Sequence, residues 1–136
     1  MEDRYLFKAK RIDNGEWVDG YLFKSFTGIC YIAKSYGHIL SIIEKYEVDP
    51  STICQCTGLK DKNGRLICEN DIVRDEHGNF YKAIWQNNYY QFFWSCVKSD
   101  VFLIGAKWDL WSFESSGIEV VGSIFDNPEL LESEEK

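Results

Sequence analysis

The stretch Gln55–Val73 reads QCTGLKDKNGRLICENDIV and contains the densest turn chemistry in the chain, between two apolar runs. Its first residues alternate as at the end of a β-strand, and Gly58 predicts a bulge or bend, because glycine adopts positive φ without strain. Asn63-Gly64 predicts a type I′ hairpin turn, since both residues tolerate the left-handed conformation. The stretch therefore predicts two strands that reverse direction at residues 61–64.

A second turn is predicted at Glu69-Asn70-Asp71, before Ile72-Val73 begins another strand. Asparagine is the most permissive residue after glycine at positive φ, so Asn70 suits this turn, and we expect Asp71 to bond loop amides. We interpret these residues as structural. With three residues near the C-terminus, the predicted structural motif is Thr57, Gly58, Leu59, Asp61, Asn63, Gly64, Asp71, Ile72, Val73, Gly122, Asn127 and Pro128.

Alternating apolar residues predict β-hairpins before the central stretch. Residues 4–11 and 17–24 flank an Asp-Asn-Gly turn and predict the first hairpin. Residues 28–33 and 38–43 are apolar runs that predict a second one. Residues 44–50 lose this periodicity and become charged, which predicts a connector.

Short strands are also predicted after the central stretch. Tyr81, Ala83 and Trp85 share one face of a strand over residues 80–86, and alternate aromatic residues from Tyr90 predict the next strand. Such a meander is typical of small barrels and sandwiches. We therefore expect a mainly β fold of antiparallel hairpins.

The last forty residues contain one segment with two interpretations. Residues 107–113 allow a strand or a helical turn, because two tryptophans lie three residues apart. Residues 118–124 alternate and predict the final strand. Asn127 suits an N-cap and Pro128 the first helical position, which together predict a short C-terminal helix.

The length of 136 residues fits a single domain, residues 1–136, and any sub-regions would be residues 1–49 and 50–136. No apolar run of 18 residues or secretory leader is present, so we expect no membrane span and a cytoplasmic location. The five cysteines lack paired CxxC spacing and are predicted to be reduced. A net charge of −7 without clustered basic residues argues against nucleic-acid binding.

Four phrases follow one another along the chain. They are W-x-x-G-(Y/F)-L near the N-terminus, V-x-P-x-T-(V/I) at Val48–Ile53, TGLKD-x-NG followed by E-x-D-I-V in the central stretch, and EVVGSIFDNPELL at Glu119–Leu131. In these phrases the chain resembles the YopX-like family of phage and prophage proteins. The resemblance implies a mainly β fold with an SH3-like barrel after Asp71, and homo-oligomers. The family has no established biochemical activity, so the resemblance does not indicate one for this chain.

Candidate catalytic and metal-binding residues are few. Cys54 and Cys56 would share one strand face and could join a histidine or Cys68 at a metal, but their spacing does not fit a zinc ribbon or knuckle. Asp61 and Asp71 could serve a metal-dependent enzyme. No nucleophile, base and oxyanion-binding set can be assembled, so we expect no enzyme, no metal and no cofactor.

Aromatic residues exceed what one face of a small sheet can bury. Subunit contact explains this surplus better than nucleic acid, because interfaces are rich in Tyr and Trp. The predicted interaction surface is Trp85, Tyr89, Phe93, Trp108 and Trp111. We expect a binding or assembly module that self-associates and could also bind an unknown protein partner. The alternatives are a nucleic-acid-associated phage accessory factor and the metal-dependent enzyme.

Overall fold

The chain forms eleven β-strands in two antiparallel sheets within residues 6–34, 44–113 and 117–135, which the computed structural model describes. The predicted mainly β fold is therefore confirmed. Contacts divide the chain into two units, Met1–Cys56 and Thr57–Lys136.

The first sheet has the strand order β4-β3-β2-β1-β5-β6. Its strands are β1 (Phe7–Lys10), β2 (Trp17–Lys24), β3 (Cys30–Ala33), β4 (Lys45–Glu47), β5 (Cys54–Lys60) and β6 (Leu66–Cys68). The first predicted hairpin is confirmed, since β1 pairs antiparallel with β2. Residues of β1 to β3, together with Val48 just after β4, form a small buried core of Ala9, Val18, Cys30, Ile32 and Val48.

The predicted connector over residues 44–50 is wrong in part. Lys45–Glu47 forms strand β4 and pairs with β3, and a 3₁₀ turn follows at Pro50–Thr52. The charged β4 has exposed ends, so no apolar periodicity marks it. The strand predicted at residues 38–43 lies outside the described residues.

The second sheet has the strand order β10-β9-β8-β7-β11. Its strands are β7 (Asp71–Arg74), β8 (Phe80–Gln86), β9 (Gln91–Lys98), β10 (Lys107–Asp109) and β11 (Glu119–Ser123). Because β10 and β11 form its two edges, the sheet is not closed, and the expected SH3-like barrel is not confirmed.

The core of the second unit follows the predicted alternation. Tyr81 and Ala83 on β8 lie opposite Cys96 and Trp94 on β9, and all four are buried. The indole of Trp94 donates a hydrogen bond to the carbonyl of Leu110 at 3.1 Å. Residues 107–113, for which the sequence allows a strand or a helical turn, contain both. Strand β10 is followed by a 3₁₀ turn at Leu110–Ser112.

The predicted C-terminal helix is present only as 3₁₀ structure, over Pro128–Glu135. The Asn127 side chain does not act as the expected cap. Its oxygen accepts a hydrogen bond from the backbone N–H of Ser123 at 3.1 Å. A side chain at Gly122 would collide with this carboxamide, so the close approach requires glycine there.

The hairpin predicted at residues 61–64 is confirmed, but its predicted type I′ turn is wrong. Gly64 has a φ of +81°, whereas among the described non-glycine residues only Asn70 and Tyr90 have positive φ. Asn63 therefore does not adopt the left-handed conformation that a type I′ turn requires. The Asp61 carboxylate instead holds the amides of Asn63 and Arg65 at 2.9 and 2.8 Å.

Candidate functional site

A cavity of about 660 Å³ opens in the second unit, where three segments meet. These segments are the β7–β8 turn, the loop between β9 and β10, and residues 112–113 together with 117–118. Its apolar walls are Tyr81, Val101, Phe102, Phe113 and Ile118. This volume lies in the range of pockets that bind small molecules.

Asp75 organises the β7–β8 turn. One carboxylate oxygen accepts hydrogen bonds from the backbone N–H groups of His77 and Asn79, both at 2.9 Å. The other accepts from the Asn79 side-chain amide at 3.0 Å and from the Tyr81 hydroxyl at 2.8 Å. Four hydrogen-bond donors therefore hold this carboxylate in place, and the carboxylate in return stabilises the turn.

Ser99 extends this network to the loop between β9 and β10. Its hydroxyl donates to the Asn79 side-chain oxygen at 2.6 Å and accepts from the backbone N–H groups of Val101 and Phe102 at 3.0 and 2.9 Å. The turn and the loop are thus joined by side chains, which holds two walls of the cavity in place.

The protonation states of the network follow from burial and hydrogen bonding. Burial alone would raise the pKa of Asp75, but the hydrogen bonds from Asn79, Tyr81 and His77 outweigh it, so the pKa lies below its ordinary value. Burial, and then the hydrogen bond and charge of Asp75, raise the pKa of Tyr81. At neutral pH the pair is a carboxylate and a neutral phenol, and neither group is poised for proton transfer.

The mouth of the cavity carries an uncompensated negative charge. Glu76 is exposed there and makes no ion pair with the described residues. Two basic residues that line the adjoining rim are engaged elsewhere, since Arg74 and Lys62 approach the Glu119 carboxylate at 2.9 and 3.8 Å.

The central motif is built from carboxylates that bind the backbone. Asp61 is 6% exposed, and besides the two turn amides it accepts from the N–H of Val120 on β11 at 2.8 Å. Burial would raise the pKa of Asp61, but these three amides and the charge of Arg65 outweigh it, and the pKa is lowered. Asp71 is fully buried and accepts from the N–H of Cys68 at 2.8 Å.

Two other residues of the central stretch have clear local roles. Asn70 has a φ of +71°, which confirms the left-handed turn. The Thr57 hydroxyl donates to the carbonyl of Ile67 at 2.7 Å and accepts from the N–H of Leu59 at 3.1 Å, which ties β5 to β6. The motif therefore acts within the fold.

The family model described as YopX protein matches residues 6–132. The chain belongs to the YopX family. The match covers nearly the whole chain and confirms the resemblance drawn from the four phrases. No curated protein sequence matches the chain significantly. No helix among the described residues is long and apolar enough to cross a membrane.

In this YopX-family chain, the cysteines differ from expectation. Cys56 and Cys68 are disulfide-bonded, which overturns the prediction that all five are reduced, whereas Cys30, Cys54 and Cys96 are buried free thiols. Sequence spacing does not reveal this pairing because strand register brings the residues together. Within the part of the chain that the structure describes, no three His, Cys, Asp or Glu residues are arranged to hold a metal ion.

The five predicted aromatic surface residues occupy three places in this YopX-family fold. Trp85 lies at the end of the β8–β9 hairpin, and Tyr89 packs edge-on against Phe93 nearby, with ring centroids 5.7 Å apart. Trp108 is half-buried against the core with Tyr81 as a neighbour at 5.6 Å. Trp111 is 81% exposed on the 3₁₀ turn.

Sequence reasoning missed the cavity of this YopX-family protein. From the sequence, Asp75 is one of several clustered carboxylates that could serve a metal-dependent or acid/base site, and His77 is a turn residue that could join a metal site or act as a base. Phe102 is not predicted to belong to a site. One signal was available: Val101–Ile104 is a run of four apolar residues in a loop, and all four are exposed. An exposed apolar run beside a polar turn is a reason to expect a binding surface.

Proposed function

We propose that this YopX-family protein is a non-enzymatic binding or assembly module that self-associates in the cytoplasm, and that it is derived from a phage or prophage. The observation that carries the proposal is the exposure of large aromatic side chains in the second unit. Tyr89, Tyr90 and Trp111 are 65%, 80% and 81% exposed. Trp85 and Phe92 add an edge-to-face pair near Tyr89 and Tyr90 at the end of the β8–β9 hairpin.

Exposed aromatic side chains favour association because each buries a large apolar area when covered. Three such side chains at about 150–250 Å² each, at roughly 25 cal/mol per Å², favour association by about 11–19 kcal/mol before its entropic costs, which are of similar size. The protein's net charge of −7 opposes association by repulsion. Apolar contact must therefore supply the attraction, and added salt should strengthen it by screening the repulsion.

Light scattering coupled to size exclusion tests this proposal, at several protein concentrations and two salt concentrations. We expect a defined oligomer that persists at high salt. The variant Tyr89→Ser/Trp111→Ser should weaken association at least about tenfold, as loss of aromatic hot spots does at other interfaces.

Phe26→Ser is the matched control, since Phe26 is fully exposed in a turn of the first unit. It removes a comparable aromatic group and should leave the oligomer intact. A wild-type monomer at all concentrations would refute self-association, and equal weakening by the control would refute a role for the exposed aromatic residues of the second unit.

A further inference from the structure

We propose that the cavity of the second unit binds a segment of a partner protein that presents a large apolar side chain followed by lysine or arginine. The cavity of about 660 Å³ has the apolar residues Tyr81, Phe113 and Ile118 at its inner side and the more exposed Val101 and Phe102 at its entrance. Such walls attract an apolar group and offer it little hydrogen bonding.

The negative charge at the mouth of the cavity favours a basic residue next to the apolar residue of the ligand. A smaller cavity of about 360 Å³ shares Asp75, Glu76 and Gly117 with the apolar one and is lined otherwise by Lys62, Arg74, Gly78 and Glu119. Three carboxylates face two basic groups there, and both basic groups are paired with Glu119. Glu76 is thus left for a cation supplied by the ligand.

The two adjoining cavities fit an extended peptide better than a nucleic acid. Successive residues of an extended chain advance by about 3.3 Å and direct their side chains apart, so one side chain enters the apolar cavity while the next reaches the charged one. Nucleic-acid phosphates would meet the carboxylates of Asp75 and Glu76, while the basic groups of Lys62 and Arg74 are paired with Glu119.

Binding needs little rearrangement of the protein. The hydrogen bonds from Asp75 through Asn79 to Ser99 already hold the turn and the loop in position. Ordering costs that commonly weaken peptide binding are therefore small on the protein side. This inference is independent of self-association, because the cavity residues do not include Tyr89 or Trp111.

The test is a titration of the full chain with the peptide acetyl-Gly-Trp-Lys-Gly-amide, followed by amide chemical shifts. We expect shifts at residues 75–79 and 117–119. The peptide with glutamate in place of lysine should bind at least about threefold more weakly, as exposed ion pairs allow. Loss of the apolar side chain, in acetyl-Gly-Ser-Lys-Gly-amide, should abolish measurable binding.

Two pairs of variants locate the site. Glu76→Gln should weaken binding of the lysine peptide about threefold, whereas Glu16→Gln, the same change at an exposed position of the first unit, should not. Val101→Ser should also weaken it, whereas Leu103→Ser, in the same exposed loop but outside the cavity, should not.

Absence of localised shifts would overturn the proposal. So would equal binding of the lysine and glutamate peptides, or equal losses in Val101→Ser and Leu103→Ser. If free indole binds as tightly as the lysine peptide, the site takes a small aromatic molecule and the peptide assignment is wrong.

Discussion

At the scale of single residues, Asp61 shows why a motif rich in carboxylates need not be catalytic. Its two oxygens accept hydrogen bonds from the N–H groups of Asn63, Arg65 and Val120. A buried carboxylate with several amide donors is stabilised as an anion. Asp61 thereby joins a hairpin turn to strand β11, which lies 59 residues later in the chain.

Replacing Asp61 with asparagine should destabilise the protein. The asparagine oxygen can keep the two turn amides, but its NH₂ group cannot accept from Val120, so a buried N–H loses its partner. Such a loss costs about 1–3 kcal/mol. Urea unfolding at pH 7 should show this decrease in the free energy of unfolding.

The pH dependence of the Asp61→Asn effect follows from the direction of the pKa shift. Because the pKa of Asp61 is lowered by folding, its charge stabilises the protein above the unfolded pKa of about 3.9. That contribution disappears as pH falls through the lower folded pKa. The gap between wild type and variant should therefore shrink below about pH 4. Asp100→Asn, at an exposed loop position, should change stability by less than about 0.5 kcal/mol.

At the scale of elements, the side-chain link between the β7–β8 turn and the β9–β10 loop is the feature most open to test. Ser99 makes three hydrogen bonds within this link. Ser99→Ala removes all three and should release the loop more than it weakens the whole fold. Hydrogen exchange at the amides of Val101 and Phe102 should accelerate at least about tenfold, which corresponds to the loss of about 1.4 kcal/mol of local protection.

Ser112→Ala is the control for this element, because Ser112 also lines the cavity but lies on the exposed 3₁₀ turn. It should leave exchange at Val101 and Phe102 unchanged. Uniform acceleration across all strands in Ser99→Ala would mean that the hydroxyl supports global stability and does not hold the loop.

Elements with local signals could be predicted from the sequence, whereas those set by distant partners could not. Asn70 was predicted to adopt positive φ because the preference belongs to the residue itself. Strand β4 was missed because pairing with β3, and no periodicity of its own, makes Lys45–Glu47 extended. The turn at Asn63 was assigned the wrong type because the Asp61 side chain overrides the dipeptide preference.

At the scale of the whole molecule, the cavity could not be predicted from the sequence, because residues distant in the chain form it. Its walls come from residues within 75–81, 101–102, 112–113 and 117–118, and the order of the strands brings them together. The expected boundary, between residues 49 and 50, lies seven residues before the division that contacts define between Cys56 and Thr57. That division falls inside β5, which runs from Cys54 to Lys60.

A fragment of residues 54–136 should fold by itself. It keeps all five strands of the second sheet, the complete β5 and the Asp61 bond to Val120. Leu59, which packs against the core of the second unit, is also retained. We expect cooperative thermal unfolding and a near-ultraviolet circular dichroism signal from the buried Trp94.

A fragment of residues 66–136 is the comparison, because it keeps the five-stranded sheet but lacks Leu59, Asp61 and Cys56, the disulfide partner of Cys68. Losing a core contact and a buried hydrogen-bond acceptor costs about 3 kcal/mol or more. That is a large share of the roughly 5 kcal/mol expected for a unit of this size. The shorter fragment should therefore lose its near-ultraviolet signal. If both fragments unfold cooperatively at the same temperature, the central stretch does not stabilise the second unit, and the structural interpretation of its motif is wrong.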